Sequence, residues 1–169
     1  MRTRVKFCGF TREQDVQQAV ALGADALGFV LYEKSPRYVT PERVAQLCAS
    51  VPAFVSTIAL FVNAEEAQIQ AVLHQAPIQF VQLHGDESFA FAVHLQQTLH
   101  IPVIKAVRVN AQTDWAEIAR HIDQLAGVLL DSDSAGYGGS GHGFDWHSIP
   151  EELRGRIILS GGLSVDSVG

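Results

Sequence analysis

Seven short apolar runs alternate along the chain with amphipathic stretches of helix length. This alternation is typical of a parallel sheet covered by helices, in which the apolar runs are the strands. Capping signals mark three of the helices, namely Thr11 with Gln14, Pro41 at a first helical position, and Asn63 with Glu66. The predicted strands are residues 4–7, 26–31, 55–62, 80–83, 103–107, 127–130 and 157–159.

Residues capable of chemistry stand where several of these strands end. They are Cys8, His84, Asp131 and the pair Gly161 and Gly162. An open sheet would spread them along one edge and confine a ligand to one switch point, whereas a barrel gathers all strand ends around one mouth. The sequence therefore predicts a TIM (βα)8 barrel, truncated after the seventh strand. Residues 1–169 are expected to form a single domain that lacks the eighth βα unit.

The sixth predicted strand ends on a carboxylate, Asp131, and a glycine-rich loop follows at residues 132–143. A charge in an apolar layer is costly, so Asp131 is expected either to be solvated or to belong to a site. Residues 136–141 fit the dinucleotide pattern G-x-G-x-x-G, but several residues separate the strand from the first glycine, which disfavours nucleotide binding. Asp145 is placed to cap a following helix.

Composition restricts the class of protein. With 169 residues, 47% of them hydrophobic and 18% charged, the chain can bury one sizeable core. A net charge of −6 and the absence of a basic stripe disfavour nucleic-acid binding, and no apolar run reaches bilayer length. Met1 to Arg4 lead directly into a strand, which favours a cytoplasmic protein without a signal peptide. Cys8 and Cys48 are expected to be free thiols, with Cys48 buried on a helix.

The whole chain resembles the phosphoribosylanthranilate isomerase family in a set of motifs and in their order and spacing. The motifs are KFCG at 6–9, KSPRY at 34–38, QLHG at 82–85, LD at 130–131, YGGSG at 137–141, FDW at 144–146 and LSGGL at 159–163. One departure matters, because the family continues through a further helix, an eighth strand and a final helix that these residues do not contain.

The resemblance implies an Amadori rearrangement in tryptophan biosynthesis, in which N-(5-phosphoribosyl)anthranilate becomes 1-(2-carboxyphenylamino)-1-deoxyribulose 5-phosphate without a metal or organic cofactor. It assigns Asp131 as the general acid that protonates the ribose ring oxygen, and Cys8 as the general base that removes the C2 proton. For these roles we expect the site to raise the pKa of Asp131 and to favour the thiolate of Cys8.

The resemblance also assigns residues that bind the substrate. Arg37 matches the residue that pairs with the anthranilate carboxylate, and Gly161 with Gly162 matches the phosphate loop, near a helix start at Ser164. His84 lines the pocket in a supporting role. A metal site built from His142, His147 and Asp131 matches no common spacing and is discounted. The expected partner is the phosphorylated small-molecule substrate, and binding to nucleic acid or to a membrane is not expected. The protein is expected to be a monomer or a homodimer.

Plainer interpretations stay open for each residue taken alone. A single cysteine at a strand end is more often a small buried residue, a strand-end aspartate is often a cap, and Arg37 could form only a loop salt bridge. The related histidine-pathway isomerase is a rival, but its members carry an aspartate at the position of Cys8. A further alternative is an inactive or weakly active remnant, because a missing eighth strand leaves two sheet edges unpaired and the phosphate cradle incomplete.

Overall fold

A computed structural model describes residues 2–132 and 145–166. Its seven strands form one parallel sheet in which each strand pairs with the next along the chain, from β1 to β7. Across the described ranges no helix is long and apolar enough to cross a membrane. The strands are β1 (Lys6–Cys8), β2 (Ala26–Val30), β3 (Ser56–Phe61), β4 (Phe80–Leu83), β5 (Val103–Val109), β6 (Gly127–Ser132) and β7 (Ile157–Leu159).

Helices connect the first six strands, as the alternation predicted. They are α1 (Glu13–Ala21), α2 (Pro41–Cys48), α3 (Glu66–Gln75), α4 (Phe89–Leu99) and α5 (Trp115–His121), with 3-10 turns at Ile122–Gln124, Trp146–Ser148 and Glu151–Leu153. Pro41 does open α2, after Thr40 as its N-cap. Asp145 caps the short turn that follows it, accepting a hydrogen bond from the His147 N–H at 2.9 Å.

The predicted capping of α1 is wrong. The N-cap of α1 is Arg12, which makes no side-chain cap, and the helix begins at Glu13, two residues after Thr11. The Arg12 guanidinium instead bonds the carboxylate of Asp15 at 2.8 Å, one turn into the helix. An acidic side chain in the first turn also suits the positive end of the helix dipole, so this end is stabilised without a capping box.

The predicted capping of α3 is wrong as well. Its start is fixed by Gln68, whose side chain accepts a hydrogen bond from the Glu65 N–H at 2.9 Å. Asn63 lies outside the helix with a left-handed φ of 52°. Its side-chain oxygen accepts from the Asp86 N–H at 2.7 Å, and its own N–H donates to Glu87 at 2.7 Å. Asn63 therefore ties the end of β3 to the loop after β4.

The sheet separates two apolar layers, because successive side chains of a strand point to opposite faces. One face packs under the helices and includes Leu27, Phe61, Leu83 and Leu130. The other face is concave and holds a smaller cluster of Ile58, Ile104, Ala106 and Leu129, with partly buried neighbours from β2, β4 and β7. Contact between strands so far apart in the sheet order requires the sheet to curl. The fold is therefore the predicted TIM-type barrel, left incomplete after seven strands.

Candidate active site

A cavity of about 520 Å³ opens at the carboxyl ends of the strands, inside the curl of the sheet. All six predicted site residues line it: Cys8, Arg37, His84, Asp131, Gly161 and Gly162. Residues from β1, from the loop after β2 and from the ends of β4, β6 and β7 thus face one space. A barrel produces this convergence, as predicted from the strand ends, and a flat sheet could not produce it.

Asp131 lies inside β6, which is two residues longer than predicted, and only 4% of its surface is exposed. One carboxylate oxygen, Oδ2, lies 3.1 Å from Nε2 of His84, and the other accepts a hydrogen bond from the Ser132 N–H at 3.0 Å. Burial raises the pKa of Asp131, but hydrogen bonds from His84, Ser132 and Ser160 act in the opposite direction and outweigh burial. The net shift therefore lowers the pKa, which is opposite to the expectation that the site raises it.

His84 uses both of its ring nitrogens within the protein. Nε2 meets Asp131, and Nδ1 lies 2.8 Å from the side-chain nitrogen of Gln82, two residues earlier on β4. The ring is 8% exposed and Gln82 only 1%, so the whole chain of contacts is shielded from water. In this arrangement His84 has no ring nitrogen to offer a ligand.

Cys8 is the last residue of β1 and is partly exposed toward the cavity. It pairs in register with Gly28 of β2. A Cβ at Gly28 would lie 2.5 Å from the Cys8 sulfur and 3.1 Å from its Cβ, which is far inside ordinary contact. The thiol therefore occupies the space that a side chain at position 28 would need.

Arg37 extends from the loop after β2 back over the end of β1. Its Nη1 donates to the backbone carbonyl of Cys8 at 3.2 Å. Gly9, the next residue, has a φ of +99°, and a Cβ there would lie 2.5 Å from Cδ of Arg37. The glycine thus provides both the turn and the space for the arginine. Among the described residues, the hydrogen bond to Cys8 is the one that the guanidinium makes.

Gly161 and Gly162 follow β7 with φ values of 75° and 66°. Two consecutive left-handed residues turn the chain sharply at the rim of the cavity, and a turn of this kind can present successive N–H groups to an anion. A Cβ at Gly161 would meet the carboxylate of Asp131 at 2.5 Å, so this loop also packs against the buried acid. No helix begins by Asp166, and the chain beyond it lies outside the described residues.

A buried ion pair supports the cavity from the helix side of the sheet. Lys105 of β5 and Glu87 are 3.4 Å apart, and Lys105 Nζ also donates to the carbonyl of Gly85 at 2.9 Å. Glu87 in turn accepts from the N–H groups of Gly85 and Asn63. Burial lowers the pKa of Lys105, while Glu87 opposes that shift. The pair fixes the loop that follows His84.

Lys6 and Gln82 also line the cavity, although neither was predicted as a site residue and each was named only as part of a motif. Each stands two residues before a recognised site residue, Cys8 or His84, and strand alternation would have placed it on the same face. Ser160, which lines the cavity and donates a hydrogen bond to Asp131, carries no comparable signal. A serine after a strand is common, and its partner belongs to another strand.

Several predicted features lie outside the described residues. These are most of the glycine-rich loop, with the G-x-G-x-x-G match at 136–141, and His142. His147 is described and exposed, and its ring meets Asp145 at 3.0 Å. Within 2–132 and 145–166, no three His, Cys, Asp or Glu side chains are grouped so that they could hold a metal ion. Cys8 and Cys48 are free thiols, and burial raises the pKa of Cys48 to about 11.

A βα barrel with an acid, a thiol and a guanidinium at the carboxyl ends of its strands is the arrangement of a barrel enzyme. A family model described as "N-(5'phosphoribosyl)anthranilate (PRA) isomerase" matches residues 5–169. The chain belongs to this family of isomerases, which confirms the resemblance found in the sequence and the place of the family in tryptophan biosynthesis.

Individual relatives agree with this membership. N-(5'-phosphoribosyl)anthranilate isomerase of Dechloromonas aromatica is 46% identical over 169 residues, which are 100% of this chain and 79% of that protein. The crystal structure of the Thermotoga maritima isomerase is 38% identical with a TM-score of 0.82, covering 99% of this chain and 80% of that one. Another crystal structure of a phosphoribosyl anthranilate isomerase is 29% identical with a TM-score of 0.68, covering 97% of this chain and 90% of that one. It is a complex with reduced 1-(o-carboxyphenylamino)-1-deoxyribulose 5-phosphate.

Proposed function

We propose that this chain rearranges N-(5-phosphoribosyl)anthranilate to 1-(2-carboxyphenylamino)-1-deoxyribulose 5-phosphate, with Asp131 as general acid and Cys8 as general base. The observation that carries the proposal is that both side chains line one cavity of about 520 Å³, together with Arg37 and the loop at Gly161. The ligand in the homologous complex is a phosphorylated compound of the same kind as this product.

The chemistry follows from these positions. Asp131 protonates the ring oxygen of the ribose while the anilino nitrogen supplies its electron pair to C1, so that the C1–O bond breaks and a protonated Schiff base forms. The Cys8 thiolate then removes the C2 proton. The electron pair of the C2–H bond forms a C1–C2 double bond, and the C1–N double bond returns its electrons to nitrogen. The resulting enolamine tautomerises to the amino ketose.

Asp131 must hold a proton to begin this sequence, yet its hydrogen bonds with His84, Ser132 and Ser160 lower its pKa. The substrate carries a phosphate and a carboxylate, and it displaces water when it fills the cavity. Nearby negative charge and desolvation both favour the neutral carboxylic acid. We infer that substrate binding raises the pKa of Asp131 and so prepares the acid only when a sugar is present.

The two ends of the substrate fit opposite parts of the cavity rim. Arg37 offers a planar group of donors, which suits the anthranilate carboxylate. The N–H groups of the turn at Gly161 and Gly162 suit the phosphate. With both ends held, the pentose lies between the thiol of Cys8 and the carboxylate of Asp131, so that acid and base act on the same sugar.

The test is steady-state isomerase activity of Cys8→Ser and Asp131→Asn, with circular dichroism to confirm folding. Each change removes a proton carrier with little change of volume, and we expect kcat to fall by roughly a hundredfold or more. Cys48→Ser is the matched control, since its thiol is buried on α2 and lies outside the cavity lining. Wild-type turnover by either site variant would refute the assignment. Turnover of the histidine-pathway substrate instead would favour that isomerase.

We also propose that residues 1–169 act as one barrel domain that lacks its eighth unit and is weakly active alone. Within the described chain β1 and β7 each pair with a single strand, which leaves two sheet edges open. We expect a version extended by a further βα unit to bind substrate more tightly and turn over faster, because closure would complete the phosphate cradle. Equal activity of the two versions would contradict this proposal.

A further inference from the structure

We propose that Gln82 is a positioning residue that holds His84 as a neutral imidazole with its proton on Nε2, directed at Asp131. Gln82 lies on β4 and His84 follows the last residue of that strand; both line the cavity, where they are almost fully buried. The side-chain nitrogen of Gln82 lies 2.8 Å from Nδ1, and Nε2 lies 3.1 Å from Oδ2 of Asp131. The three side chains form one line of contacts from β4 to β6.

Donor and acceptor roles along this line follow from chemistry. An ionised carboxylate can only accept, so Nε2 must donate to Asp131. The other nitrogen of a neutral imidazole is then an acceptor, and the group that faces it must be a donor. Gln82 presents its NH2 group there. A histidine without this partner could turn its ring over or accept a second proton, and either change would alter the hydrogen bond to Asp131.

The oxygen of the same amide is buried and, among the described residues, has no hydrogen-bond partner. Buried acceptors are usually paired. The oxygen stays unpaired here while the NH2 group faces Nδ1, which is the arrangement that an unprotonated Nδ1 requires. The orientation therefore serves the histidine.

The effect on turnover rests on the proposed function, since it assumes that Asp131 is the acid. The tautomer of His84 does not rest on it and can be measured separately. The titratable or charged side chains that line the cavity or stand beside Asp131 in register are Lys6, Cys8, Tyr32, Arg37, His84 and Arg108, and Arg108 is paired with Asp86. Any pH profile must be interpreted with all of these groups in view.

The experiment is 15N NMR of the histidine side chains in the full 169-residue chain and in Gln82→Met and Gln82→Glu. Spectra of His84→Gln assign the signals. In the unaltered protein we expect a protonated Nε2 and an unprotonated, hydrogen-bonded Nδ1. Glutamate at 82 would accept from Nδ1, so His84 should carry both protons and its Nδ1 signal should move to that of a protonated nitrogen. Methionine should shift the Nδ1 signal toward that of a nitrogen without a donor.

Kinetics supply the second readout. Because an error of about 1 Å at a catalytic group costs roughly a hundredfold, we expect Gln82→Met to lower kcat by about ten- to a hundredfold while KM changes little. The matched control is Gln79→Met, which removes the hydrogen bond to the Thr57 N–H at the opposite end of β4 and should change stability alone.

A proton on Nδ1 of His84 in the unaltered protein would overturn the inference. So would Gln82→Met and Gln82→Glu variants with unchanged nitrogen signals. If the NMR results are as expected but the unaltered chain and its extended version lack isomerase activity, the proposed function fails and the assignment of the tautomer stands. If Gln82→Met does not fold, the unaltered protein and the shape-matched glutamate variant still decide the question.

Discussion

Gly28→Ala is the most direct test of how the fold positions Cys8, the proposed base. The added Cβ would lie 2.5 Å from the Cys8 sulfur, where unstrained heavy atoms stay about 3.5 Å apart or more, so the sulfur must move by roughly 1 Å. Rotation of the thiol does not relieve the clash fully, because the Cβ and Cα of Cys8 are also only 3.1 and 3.3 Å away. A displacement of this size at a reacting group costs roughly a hundredfold in rate, or about 2.7 kcal/mol of activation free energy.

The assay compares kcat, KM and the rate of Cys8 alkylation by iodoacetamide in the unaltered protein, in Gly28→Ala and in a control. Gly127→Ala is that control, because it is buried in a strand of the same sheet and its Cβ would meet Ile158 at an ordinary 3.4 Å. We expect only Gly28→Ala to lose turnover and to alkylate at a changed rate, with a stability loss of about 1–3 kcal/mol from overpacking. Unaltered kcat and alkylation in a folded Gly28→Ala protein would refute the reasoning.

Three further predictions concern other parts of the chain. Hydrogen bonds from Arg2 and the Val5 N–H lower the pKa of Asp25 to about 2, so Asp25→Asn should lower the Tm at neutral pH. The stability that Asp25 contributes is present above its unfolded pKa and is lost as the pH falls toward 2. A Tm deficit of the variant that persists at pH 2 would contradict this prediction. Thiol labelling at pH 8 should modify Cys48 only on unfolding, because its pKa is about 11; modification in the native protein would refute its burial. Gly9→Ala should raise KM more than it lowers kcat, because it displaces the arginine above it; an unchanged KM would count against that role.

The strands and the cavity could be predicted from the sequence because each rests on local information. A parallel strand buried on both faces is a short apolar run, and the carboxyl ends of such strands meet at one mouth once the sheet curls. Cys8 and Asp131 were placed correctly by this rule alone. The end of β6 was predicted two residues early, because a charged residue within a buried strand has no pattern of its own.

Features that depend on partners from distant elements could not be predicted. Asn63 has the local pattern of a helix cap, yet the loop after β4 uses both its backbone and its side chain, and that competition is invisible in a single segment. The direction of the pKa shift of Asp131 failed for the same reason. Burial alone would raise the pKa, but hydrogen bonds from His84, which follows β4, and from Ser132 and Ser160 outweigh it.

The positions of the side chains in the site and the protonation state of Asp131 are set in different ways. The geometry is fixed in advance by glycines at 9 and 28, which leave room for Arg37 and Cys8, and by the hydrogen-bonded line from Gln82 to Asp131. The hydrogen bonds of Asp131 lower its pKa and so favour the carboxylate. In the proposed mechanism, the phosphate and carboxylate of the substrate, together with desolvation, would favour the neutral acid instead. We therefore propose that Asp131 protonates a sugar only when anionic groups lie at both ends of it, so that binding and proton transfer share one requirement.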